Sequence, residues 1–80
     1  MATEHTCTEL VHESDLASLA GEYVDYGARR HVAFVVLEEL LHAAPADEVT
    51  FTVTVRRSGA TALPGCVGFT ATGQVAEQGV

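Results

Sequence analysis

The chain has 80 residues, enough for one domain. Its net charge is −7, with four arginines and no lysine, which excludes free nucleic acid as a natural partner because phosphate binding needs a positive surface. A composition that is 48% hydrophobic argues for a packed core and against disorder.

In chain order, residues 1–5 carry no pattern and are expected to be loose. Residues 6–12, TCTELVH, read as a short strand with Thr8, Leu10 and His12 on one side and Cys7, Glu9 and Val11 on the other. Ser14 has the chemistry of an N-cap, and Asp15 follows it where a carboxylate suits the helix dipole. Leu16, Leu19, Ala20, Tyr23 and Tyr26 recur at helical spacing, predicting a first helix from Asp15 to about Tyr26 that ends at Gly27.

Arg30 to Ala44 is the densest apolar stretch, and everything else must pack against it. Val32 to Leu37 is contiguous, but Leu40, Leu41 and Ala44 continue at intervals of three and four, so the segment reads as a helix closing near His42 or Ala43, before Pro45. Its first half is apolar nearly all round. Such a helix is buried on more than one side, or covered by a second copy of the protein. A single bent helix from Asp15 to Ala43 is the competing picture.

Asp47 to Arg57 alternates Val49, Phe51, Val53 and Val55 with Thr50, Thr52 and Thr54, the clearest strand signal in the chain. After a turn around Ser58–Thr61, Ala62 to Thr72 returns as a second strand whose pairing starts near Cys66, because Pro64 and Gly65 interrupt its first half. Residues 73–80 are read as fraying or as a short edge strand. The expected fold is α+β: one or two helices packed on a small antiparallel sheet of two to four strands.

Catalytic and metal chemistry find little support. Glu39 and His42 make one Glu-x-x-His pair, whereas a di-iron bundle needs two such pairs and two further glutamates. His5, Cys7 and His12, with or without Cys66, match no closed zinc spacing. Two cysteines permit one disulfide but not a stapled secreted scaffold. Cys66 has no base implied beside it, and Gly59, Gly65 and Gly68 do not form a phosphate-cradling loop. Neither an enzyme nor a cofactor is expected. The longest apolar run is six residues, far short of the roughly 20 that a membrane span needs, and no charged leader precedes an apolar segment; a cytoplasmic protein is expected.

Charge is the informative feature. Glu4, Glu9, Glu13, Asp15, Glu22 and Asp25 crowd the first 25 residues, which hold no arginine, while the remainder has five acids against four arginines. Glu9, Glu13, Asp15, Glu22 and Asp25 with Tyr23 and Tyr26 are therefore the candidate partner-binding residues, since tyrosine among carboxylates is a common interface mixture. The expected function is a small acidic, non-enzymatic binding protein or inhibitor. It would dock on the basic groove of a larger protein or ribonucleoprotein, without contacting nucleic acid directly. Small acidic stand-alone proteins of this sort are frequent among phage-encoded inhibitors of host defence, including anti-CRISPR proteins; that is a class-level expectation with no motif behind it. The alternatives are a dimeric, antitoxin-like regulatory or accessory subunit, and a small metal-binding protein using His31, Glu39 and His42. Monomer and homodimer both remain open at this level.

Overall fold

A computed structural model describes residues 4–43, 47–59 and 63–76. Five elements follow in order: β1 (Glu4–His12), α1 (Glu13–Leu16), α2 (Gly21–Ala43), β2 (Thr50–Ser58) and β3 (Cys66–Ala76). The three strands form one antiparallel sheet in the order β1-β3-β2. The fold is thus α+β, two helices on a three-stranded antiparallel sheet. The last strand occupies the centre because α2 carries the chain from β1 to the far edge, leaving a gap that β3 fills on the return.

Side-chain alternation divides the sheet into two unlike faces. On the covered face, Val67, Phe69 and Ala71 of β3 are buried beneath Ala28, Val32, Val36 and Leu40 of α2, and Cys7, Val11, Phe51, Val53 and Val55 pack around them. The buried helix residues recur every fourth position, so only a narrow stripe of α2 meets the sheet. Gly73 lets it come close: a Cβ there would stand 2.8 Å from Leu40 Cδ1 and nearer still to Val36. The other face carries a threonine lattice. Thr6, Thr72 and Thr54 lie abreast across the three strands, and the Thr8 and Thr70 hydroxyls are 3.0 Å apart. Alternating apolar and hydroxyl residues suit a sheet with one dry side and one wet side.

Several boundaries differ from those read in the sequence. Glu4 and His5 belong to β1, paired with Gln74 and Gly73, so the sheet reaches further toward both termini than expected. Gln74 to Ala76 continue β3 and form no separate edge strand; residues 1–3 and 77–80 lie outside the described residues. Helix α1 is a single turn starting at Glu13. His12, and not Ser14, caps it, with Nδ1 accepting from Ser14 N–H at 3.1 Å. The chain breaks at Gly21, where any Cβ would collide with the Leu16 carbonyl. A Cβ on Gly27 would meet nothing within 4 Å, and this residue sits inside a continuous helix. The cost of a mid-helix glycine, up to about 1 kcal/mol, is outweighed by the packing of the turns on either side. The competing picture of a bent helix was nearer, although the bend is a full interruption and α2 proper runs for 23 residues. Its closure at Ala43 is as expected.

Candidate interaction surface

Glu13 and Asp15 stand on the turn of α1, Leu19 on the tight connection to α2, and Glu22, Tyr23 and Tyr26 on the first turns of α2. Together they make a corner of the molecule. All six side chains are exposed, with Leu19 at 108%, Tyr23 at 81% and Tyr26 at 66%. Among the described residues no cation pairs with Glu13, Asp15 or Glu22. The corner is rigidly built: Glu13 N–H donates to the Gly65 carbonyl at 2.8 Å, and Gly21 N–H donates to the Ser18 carbonyl at 3.0 Å. Gly65 holds φ at +79°, a left-handed conformation that favours glycine, and so brings the loop before β3 back against α1. Helical spacing places Leu19 within one helix running from Asp15 to about Tyr26; it lies instead on the connection between α1 and α2 and stands fully in water.

The two remaining candidates point elsewhere. Asp25 is committed within the molecule. Its Oδ1 accepts from Arg29 Nε at 2.6 Å and its Oδ2 from Arg57 Nη1 at 3.0 Å. These bonds hold the carboxyl below the usual carboxylate range, the Arg29 hydrogen bond contributing most, partial burial opposing it, and Arg57 adding to it. Both guanidiniums also lie over the fully buried Phe69 ring, with Cζ 5.4 and 5.9 Å from its centroid for Arg29 and Arg57. Glu9 is opposite Phe69 on the covered face, and its Oε2 is buried with no hydrogen-bond partner among the described residues. Asp25, Arg29, Arg57 and Phe69 thus form a lock between α2 and the edge strand β2.

Two shallow hollows of about 300 Å³ flank the corner, one lined by Leu16, Gly21, Glu22, Asp25 and Arg57, the other by Glu13, Leu16, Ala17, Arg57 and Val67. They reach only the lower end of the volume that small-molecule sites occupy, and both are wide open. Among the described residues that line them, no nucleophile has a base beside it. Glu39, one of the metal candidates, instead holds His5, with Oε2 2.8 Å from Nδ1. Among the described residues no three His, Cys, Asp or Glu side chains are grouped so as to hold a metal ion. Cys7 and Cys66 are not joined in a disulfide and lie on opposite faces of the sheet, opposite Ala71 and His12 in register. Of the arginines, Arg56 projects from the threonine face, while Arg30 lies along α2 with Cζ 5.1 Å from the Phe34 centroid.

Among the described residues no helix is long and apolar enough to cross a membrane. Comparison with protein-family models, with curated proteins and with solved structures gives no match for this chain.

Proposed function

We propose that this protein is a non-enzymatic binding module. It docks its acidic corner on a basic surface of a larger protein or ribonucleoprotein and thereby blocks that surface. The observation that carries the reading is the union at one corner of a fully exposed Leu19 and three carboxylates without a cationic partner among the described residues. Apolar anchors ringed by charge are the usual anatomy of a recognition patch, and lone carboxylates of one sign steer a basic partner into place.

Capture of partners from host extract by the immobilised chain tests the reading. The triple variant Glu13→Lys, Asp15→Lys, Glu22→Lys should lose the captured protein, and Leu19→Asp should weaken capture. Undiminished capture by the triple variant removes the proposal. Asp25 is left untouched, because its reversal would break the helix-to-strand lock and confuse misfolding with lost recognition.

A further inference from the structure

Helix α2 has two apolar stripes, and the sheet covers only one. Tyr23, Tyr26, Arg30, Phe34, Leu37 and Leu41 follow one another at intervals of three, four, four, three and four residues, on the side of the helix turned away from Ala28, Val32, Val36 and Leu40. That is the alternating spacing of a helix-pairing seam with one stutter, at Arg30, where two intervals of four adjoin. Phe34 and Leu41 are 54% and 55% exposed, and Leu37 between them is half-buried. We infer that a second copy of this chain covers it, forming a symmetric dimer through antiparallel α2 helices. The inference goes beyond the docking reading and does not rest on it.

Three observations select a second copy as the occupant. The first is self-complementarity of shape. Gly27, Arg30, His31 and Phe34 surround a hollow of about 250 Å³. They stand at positions i, i+3, i+4 and i+7, the four residues that bound a hole in knobs-into-holes packing. With a two-fold axis level with residue 32, Phe34 of one copy comes level with Arg30 of the other and enters that hollow, and the reverse contact follows by symmetry. Tyr23 comes level with Leu41 in the same register.

The second is charge. The chain is acidic, but the seam contains no carboxylate, and its one cation, Arg30, already lies over a Phe34 ring. In the antiparallel register Arg30 meets the other copy's Phe34 and lies one turn from its Glu38. A basic partner, which suits the acidic corner, finds no carboxylate within the seam and only Glu38 beside it, and an acidic chain without lysine is repelled by anionic lipid.

The third is area. Three rings of about 150–250 Å² each, exposed at 81%, 66% and 54%, offer about 300–500 Å² of aromatic surface per copy. With Arg30, Leu37 and Leu41 added, two copies bury on the order of 1,000 Å², where specific interfaces begin. Tyr23 and Tyr26 are then covered by the second copy, and the docking corner of each subunit reduces to Leu19 with Glu13, Asp15 and Glu22, outside the seam.

Sedimentation and light scattering of the full chain test the inference. The wild-type protein should run at twice its 8.4 kDa mass at tens of micromolar. Gly27→Leu, which fills the hollow with a good helix former, and Phe34→Glu, which removes the knob, should both run as monomers with an unchanged circular dichroism spectrum. Oxidation of a mixture of Tyr23→Cys and Leu41→Cys chains should yield a peptide joining positions 23 and 41. A wild-type chain that stays monomeric near 1 mM overturns the inference, as does a dimer that both variants leave intact, or one whose cross-links join position 41 to itself. Loss of partner capture without any change in mass bears on the acidic corner alone.

Discussion

Asp25 of α2 and Arg57 of β2 meet at 3.0 Å across 32 residues of chain, and through that contact the start of the helix is fastened to the edge of the sheet. Arg29, one helical turn on, donates to the same carboxylate at 2.6 Å, so a single acid ties two cations that both lie over Phe69.

The lock makes stability depend on pH. The Asp25 carboxyl is held below its ordinary range in the fold, so the unfolded chain takes up a proton first as pH drops. Its contribution is complete above the unfolded value of about 3.9 and disappears as pH falls through the lower folded value. Asp25→Asn should cost about 1 kcal/mol at pH 7, the scale of two partly exposed ion pairs. Urea midpoints of the two proteins should converge in strong acid; a gap that persists unchanged at pH 2 rules out the ionic origin.

Gly73 tests the closeness of helix and sheet. A methyl there meets Val36 and Leu40, two residues with no exposed surface, so Gly73→Ala should destabilise by about 1–3 kcal/mol. In a domain of this size each kcal/mol lowers the melting temperature by about 4–8 °C. The pair Gly73→Ala with Val36→Ala should lose less than the two single changes added together, because the first methyl occupies space that the second vacates. Strict additivity in thermal melts would show that the contact does not exist in solution.

Gly65 and Gly59 form a matched contrast. Gly65 has φ +79°, and alanine there should cost about 1 kcal/mol or more for backbone strain alone. Gly59 lacks such a φ and a Cβ on it meets nothing within 4 Å, so Gly59→Ala should be neutral within about 0.5 kcal/mol. Chemical denaturation separates them; equal effects would contradict the turn that seats β3 against α1.

Recognition through the acidic corner should weaken with salt. The carboxylates of Glu13, Asp15 and Glu22 are exposed, and exposed charges are screened beyond about 8 Å at physiological ionic strength. Capture of the partner should decline steadily from 50 mM to 500 mM sodium chloride (about a tenfold loss), with the change in association rate exceeding that in dissociation. Leu19→Ala should act mainly on dissociation. Surface plasmon resonance distinguishes the two, and a salt-independent association rate would leave the acids without a steering role.

Local order was legible from the residues alone. The period-two run from Thr50 to Val55, the interruption at Pro64 and Gly65 before Cys66, and helix closure at Ala43 all depend on neighbours within a few positions. Those neighbours are present in any linear reading. So was the apolar excess of the central segment, which the narrow buried stripe of α2 does not use up. Folding in three dimensions decided the rest. Gly21 and Gly27 look alike in sequence, yet only Gly21 faces a carbonyl with no room for a side chain, so the helix breaks there and Leu19 swings outward. Asp25 and Glu22 look like members of one acidic face, yet Arg57 arrives from the far edge strand to claim Asp25 and leaves Glu22 in water. Spacing along a chain fixes which side chains share a face; which of those faces meets the sheet, a cation or solvent depends on contacts between residues far apart in sequence, and these exist only once the strands have paired.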